Sequence, residues 1–380
     1  MIIAACMDPA HRGHAAYEHC RDNGGGEYVA RQVKRAQEMI RDAGEMTTDL
    51  GNARRLVRLH GNNLRFVPAW KSWISSADGR WQRDEDGAIV RMAKATIEQM
   101  FTEAAQIGDE AKRAAMRSHA LKSQSQQRLA AMVKLAESEL EVVAHAEKLD
   151  ADPYLLGVRN GVIDLQKVEF RQAKREDYVT KVAGVAFDAN AQCPQWLGFL
   201  KKIFPQQDEL ITYLQRASGY LLTGLTVEEV LFVLWGRGHN GKTTFRETLF
   251  ALLGEYAIGS DASLLITQRH GGATPDLARL FGRRLVTINE TEQHSHLNEQ
   301  RVKFITSHDV ITARNLFEDP FDFMPTHKTC LTTNYKPIVK GTDEGIWRRI
   351  HLWPFVTTIP ENERDASFRE KSYCLSCPAS

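Results

Sequence analysis

The chain has 380 residues, enough for two or three domains, and its 43% hydrophobic and 26% charged content matches a globular protein rather than a disordered, collagen-like or coiled-coil one. Forty-nine basic residues against 48 acidic ones leave a net charge of +1, which excludes a polycationic tail and requires any nucleic-acid site to be a local patch or pore. Six irregularly spaced cysteines make no secreted disulfide framework. The longest strongly apolar run, Val230 to Trp235, is far below the roughly 18 residues of a membrane span, and the opening MIIAACMD lacks the basic start of a signal peptide. The expectation is a soluble protein of a reducing compartment, the cytoplasm of a bacterial or phage-infected cell, with no membrane partner.

Residues 1–46 are polar and glycine-interrupted, a leader of unknown fold in which Cys6, His11, His14 and Cys20 fit no standard zinc spacing. Over 47–90, turn signals such as Gly61-Asn62 and Asp78-Gly79 between short apolar runs predict a small β-containing unit. There Trp70, Trp73 and Trp81 interleave with Arg54, Arg55, Arg58 and Lys71, either as a stacking platform for a single strand or as core and rim. Asp84, Glu85 and Asp86, followed by Gly87, read as a solvated turn rather than a metal cluster. From 91 to 148 the period becomes helical (Ile97, Met100, Phe101, Ala104; Leu129, Met132, Val133, Ala136), predicting a helical bundle that ends at Asp152-Pro153. A short β element, Asn160 to Leu165, closes a region placed at 47–195, and helices follow in a collar or linker at 196–228.

The chemistry begins at Val230. A continuous apolar run suits a strand buried on both faces of a parallel sheet. It leads into Gly236-Arg237-Gly238-His239-Asn240-Gly241-Lys242-Thr243, a full match to GxxxxGK followed by Ser or Thr, and then into a helical pattern stopped by Gly254. Strand, glycine loop and helix in that order form a phosphate cradle, because glycines let successive N–H groups converge at a helix N-terminus. Gly236, Gly238, His239, Asn240, Gly241, Lys242, Thr243 and Thr244 are therefore expected at the nucleotide, with Lys242 on its outer phosphates and Thr243 on Mg2+.

Three later features refine this. Arg283 to Glu292 is a strand running into Glu290 and Glu292, one acid to serve the metal and one to polarise the attacking water; spacing alone leaves their roles open. Thr329 to Asn334 is a second strand, whose terminal amide suits a sensor of the γ-phosphate or a simple turn. Arg348 and Arg349 precede a last apolar strand, His351 to Phe355, where a guanidinium offered to a neighbouring subunit would stabilise transition-state charge.

Jointly Lys242, Glu290, Asn334 and Arg349 resemble a superfamily 3 helicase, the compact AAA+ type of small DNA viruses and phages. With Thr48 to Ala53, Asn160 to Leu165, Gly219 to Gly224 and Trp347 to Ile350 added, the chain is similar over about 47–365 to the helicase half of the phage and poxvirus primase-helicase family. The resemblance implies an α/β P-loop NTPase core at 229–360, with a central mostly parallel sheet, preceded by the β-containing unit and the helical bundle. It implies ATP and Mg2+ as cofactors, a ring of six copies acting on single-stranded DNA at a replication fork, and a separate primase or polymerase as partner. It assigns the nucleotide to Gly241, Lys242 and Thr243, the acidic strand to Glu290 with Glu292, the sensor to Asn334 and the trans arginine to Arg349 ahead of Arg348. It also implies a pore hairpin over Ile311 to Pro325; its tip, Asn315 to Pro320, is acidic here, which leaves Arg314, Asn315 and Lys328 as the expected DNA contacts. The segment 361–380 departs from the family as a truncated tail, with Cys374 and Cys377 in a lone CxxC. The alternatives are a remnant that binds nucleotide and DNA without productive unwinding, and a small-molecule kinase, disfavoured because Thr267 to Leu280 offers only Arg269 and Arg279 as lid arginines.

Overall fold

The computed structural model describes residues 47–266, 275–289, 296–314, 320–339 and 343–364. These cluster into two units, one built from residues up to 68 with 72–75 and 83–144, the other from 69–71, 76–82 and 145 onward.

In the first unit the Thr48 hydroxyl accepts the Gly51 N–H at 3.0 Å and so opens helix α1 (Asp49–His60). The β structure expected over 47–90 therefore begins only after this helix. α1 escaped the periodicity reading because its inner face carries polar residues: Asn52 Nδ2 donates to Ser123 Oγ at 3.0 Å, and Arg55 pairs with Glu103 at 3.3 Å. Strands β1 (Leu64–Val67) and β2 (Ser72–Ala77) then pair antiparallel, Leu64 opposite Ser75, and β3 (Arg80–Arg83) follows in the strand order. Asp84 is more than a turn residue. Its carboxylate accepts the Ala88 and Ile89 N–H groups at 2.6 and 2.9 Å, fixing the start of α2 (Ala88–Ala105). Asp109 and Ser125 cap α3 (Glu110–Ser123) and α4 (Gln126–Ala136) in the same way. The predicted stripes are indeed core: Ile97, Met100 and Met132 are buried together with Leu56, Leu64 and Trp73. Trp73 thus serves packing here; Trp81, which belongs to the second unit, is fully buried, its indole N–H donating to Arg175 O at 2.8 Å.

The second unit opens with a meander, β4 (Leu155–Val158), β5 (Gly161–Asp164) and β6 (Glu169–Arg171), with Asn160-Gly161 at the first turn. Helices α5 (Pro194–Ile203) and α6 (Asp208–Leu222) lead to the central sheet. Its strands are β7 (Leu231–Trp235), β8 (Ala257–Ser260), β9 (Leu285–Asn289), β12 (Lys328–Thr333) and β13 (Ile350–Pro354), in the spatial order β13-β7-β12-β9-β8, every neighbouring pair parallel. Helix α7 (Lys242–Leu253) follows β7; α8 (Glu299–Thr306) and the hairpin β10 (Ile311–Ala313) and β11 (Phe321–Phe323) lie between β9 and β12; α9 (Glu344–Trp347) precedes β13. Alternation along β7 splits the core in two. Val230, Phe232 and Leu234 pack with α5, α6 and α7 through Phe199, Leu221 and Phe245, whereas Leu231 and Val233 pack with α8 and the hairpin through Val302, Ile305 and Phe323. A strand buried on both faces needs this unbroken apolar run. The α/β P-loop architecture with a parallel central sheet is thereby established.

Candidate functional site

Strand β7 delivers the chain to Gly236, where a Cβ would lie 2.0 Å from Phe355 O; only glycine fits between the two backbones. His239 and Gly241 take φ of 56° and 82°. Such left-handed positions within a tight loop build the concave arrangement of amides that holds anions. Gly241 is also the residue on which α7 starts, so the helix dipole adds to the cradle. Asn240 ties the loop down from outside, its Nδ2 donating to Phe355 O at 2.6 Å, and the Ile359 N–H donates to His239 O at 2.8 Å.

Lys242 is buried, its ammonium donating to Gly236 O and, at 3.2 Å, to Asn334 Oδ1. A cavity of about 680 Å³ extends from here. Gly238 through Thr244 line it together with Asn289, Thr332, Thr333 and Asn334, and Phe199 and Ile359, both against the loop, add apolar surface. That volume suits a nucleotide-sized ligand, with an anion cradle and apolar surface beside it. Thr243 is exposed on the first turn of α7 within it. Among the described residues no group of three or more His, Cys, Asp or Glu could cage a metal ion. A hydroxyl beside a phosphate cradle is instead what a Mg2+ ion carried in on phosphates requires.

Of the expected P-loop residues, Gly238 through Thr244 line this cavity together with Asn334, while Gly236 lies behind it against Phe355. Glu290, Glu292 and Asn315 lie outside the described residues, as do the leader cysteines and histidines and the CxxC of the tail. Two residues that the motif reading passed over also line the cavity: Arg246, whose guanidinium donates to Asn289 Oδ1, and Asn289 itself. Arg246 was legible as the i+4 neighbour of Lys242 on one helix face; Phe199 and Ile359, from distant segments, had no local signal.

Arg348 and Arg349 sit at the opposite end of the sheet. Ile350 pairs with Leu231, while the loop follows Trp235. Four steps of roughly 3.3 Å put about 13 Å between the two ends, so neither arginine is placed at its own cavity. The two differ in exposure: the Arg349 side chain is 10% exposed and bonded to Glu229, Thr306 and Gly345, whereas that of Arg348 is 63% exposed.

Lys328 requires a correction. It is 2% exposed at the start of β12, its ammonium donating to Thr223 O and Thr326 O and lying 4.8 Å from the Tyr220 ring. Burial, with Arg284 nearby, holds its pKa well below the usual lysine value. It ties the end of α6 to the sheet and offers nothing to DNA. Arg314, in contrast, is exposed directly after β10, on the hairpin that the resemblance implies.

Comparison with known proteins shows what the chain is similar to. The model of the family described as "D5 N terminal like" matches residues 53–205, and that of a family of unknown function matches 234–349. A putative helicase of Acanthamoeba polyphaga mimivirus is 34% identical over 215 residues, 55% of this chain and 22% of that protein. A putative primase of African swine fever virus is 31% identical over 230 residues, 58% of this chain and 24% of its own length. The chain thus spans about a quarter of the length of the curated relatives it matches. The apo C-terminal region of NrS-1 aligns over 82% of this chain and 62% of that one, at 9% identity and a TM-score of 0.48, a likeness too slight to add to the strand order described above.

Proposed function

We propose that the chain is of the phage and viral superfamily 3 primase-helicase type, that it binds ATP in the P-loop cavity, and that it hydrolyses ATP to move along single-stranded DNA in replication, as a ring of identical subunits. The observation that carries this is the convergence on one cavity of the amide cradle, the Lys242 ammonium, the Thr243 hydroxyl and the Asn334 carboxamide.

The loop amides and Lys242 would hold the β- and γ-phosphates, Lys242 exchanging its carbonyl partner Gly236 for phosphate oxygen. Thr243, with Glu290 from the segment after β9, would hold Mg2+, which supplies further neutralisation of phosphate charge. Asn334 would hold the attacking water or the γ-phosphate through its amide. A carboxylate at Glu290 or Glu292 would take up the proton of that water. Arg348 or Arg349, distant from its own cavity, would complete the neighbouring subunit's site and add positive charge as the terminal phosphate departs. The hairpin carrying Arg314 would follow the strand by contacts to its backbone, giving salt-sensitive and sequence-tolerant binding.

ATP hydrolysis by the purified chain, with and without single-stranded DNA, tests this alongside Lys242→Ala, Arg348→Ala and Arg349→Ala. Stimulation by DNA, lost in Lys242→Ala and in one arginine variant, supports the motor. Nucleotide and DNA binding without stimulated turnover favours the non-unwinding remnant, and phosphoryl transfer to a small acceptor would favour a kinase.

A further inference from the structure

Glu229 stands where three basic side chains meet. Its Oε2 is 2.6 Å from Arg348 Nη2 and 2.8 Å from Arg349 Nη2, and its Oε1 is 3.6 Å from His308 Nδ1. The two arginines differ in what else fixes them. Arg349 also donates to Thr306 Oγ1 and Gly345 O, both at 3.1 Å, and is buried. Arg348 extends into solvent. Glu229 itself has φ of 50°, a left-handed backbone that a residue with a Cβ rarely adopts. Strain of this kind persists only where the surroundings hold it, and it concentrates at functional positions. The position is telling, because Glu229 directly precedes the strand that ends in the P-loop, and the Leu231 N–H donates to Arg349 O at 2.7 Å. One carboxylate therefore joins the starts of β7 and β13.

A guanidinium binds carboxylate and phosphate oxygens with the same forked donors. We propose that Glu229 is a positioning residue: it holds Arg348 within its own subunit, in competition with the terminal phosphate of a nucleotide bound by the neighbouring copy, while Arg349 anchors the carboxylate from behind. This rests on the reading that an arginine acts in trans. The hold is reversible by nature, since a solvent-exposed ion pair is weak and is screened by salt. When the neighbouring cavity fills, Arg348 exchanges one anionic partner for another, and the released carboxylate remains neutralised by Arg349. The start of β7 thus registers whether the next site is occupied.

The test compares turnover at saturating ATP, without and with single-stranded DNA, and the Tm of the full chain as wild type, Glu229→Gln, Arg348→Ala and the double variant. Glu229→Gln is expected to raise DNA-free turnover about two- to five-fold, the range of ratios an exposed ion pair governs, and to narrow the stimulation by DNA. The double variant is expected to be as slow as Arg348→Ala, because the gain runs through Arg348. Unchanged or lower turnover in a Glu229→Gln protein of wild-type Tm overturns the proposal and leaves Glu229 a brace for Arg349. If Arg348→Ala is itself silent in an active enzyme, the trans role of Arg348 falls and the clamp with it. An inactive Arg348→Ala beside a flat Glu229→Gln overturns the clamp alone. Should Glu229→Gln fail to fold, Glu229→Asp keeps a charge beside the buried arginine with a shorter reach; it must show the same gain, and its absence overturns the proposal.

Discussion

Lys242 Nζ donates to Asn334 Oδ1 across 3.2 Å, joining the first residue of α7 to the end of β12 over 92 positions of sequence. Parallel pairing of β12 with β7, Thr333 opposite Trp235, is what makes this possible, since it brings the loop after each strand to the same edge of the sheet. An amide that touches the ammonium proposed to hold phosphate is suited to respond to what that ammonium binds.

The two residues should therefore separate in kinetics. Lys242→Ala should lower turnover at least about a hundred-fold and weaken nucleotide binding, as expected when a preorganised charge is removed from a developing one. Asn334→Ala should leave ATP affinity within about three-fold while lowering kcat by a similar hundred-fold. Steady-state hydrolysis with an independent nucleotide titration checks both. A full kcat in Asn334→Ala would remove Asn334 from the chemistry.

Two glycines of the same loop should behave differently. A Cβ on Gly236 would meet Phe355 O at 2.0 Å, whereas one on Gly238 meets nothing within 4 Å. Gly236→Ala must push the strand end from the chain beyond β13 and should lower Tm by several degrees, equivalent to roughly 1–3 kcal/mol. Gly238→Ala should unfold within about one degree of wild type, its effect, if any, appearing only with nucleotide bound. Thermal melts of the two variants without ligand decide this.

Acid sensitivity should trace in part to His327. Burial, reinforced by neighbouring Lys328, pushes its pKa down to about 4. The sign follows from proton binding: below pH 6.5 the unfolded chain protonates this imidazole and the folded one does not, so stability falls with pH until the folded pKa is reached. Across that window the loss amounts to roughly 3 kcal/mol. Urea titrations at pH 7 and pH 4.5 should show a smaller drop for His327→Leu than for wild type. Equal drops would mean the histidine is not protonated differently in the two states.

Exposed Arg314 and buried Lys328 also make opposite predictions. Arg314→Ala should weaken single-stranded DNA binding and reduce the slope of log affinity against log salt by about 0.7 per lost phosphate contact. Lys328→Met should leave that slope unchanged and alter Tm instead. Binding titrations at three salt concentrations distinguish the two; an unaltered slope in Arg314→Ala would take the hairpin base off the DNA path.

Local order was what the sequence by itself determined. The apolar run before Gly236, the glycine spacing and the periodic helix after it specify strand, loop and helix through contacts between near neighbours, and the structure has β7, the left-handed turns and α7 in those places. The turn at Asn160-Gly161 was legible for the same reason, whereas the hairpin of β10 and β11 was expected only from the resemblance. Helix α1 was not, because Asn52 and Arg55 face inward and find partners in Ser123 and Glu103, residues far along the chain. Nor did charge announce its own location: Lys328 was expected at DNA and Arg349 at a neighbouring subunit, and each is buried against carbonyl or carboxylate oxygen that another segment supplies. Only the tertiary structure decided which strand lies beside which, and therefore that Asn334 reaches Lys242 while Arg348 and Arg349 stand at the far end of the sheet, tied to Glu229. Pairing between distant strands is chosen by the packing of the whole core, and no window of sequence contains that choice.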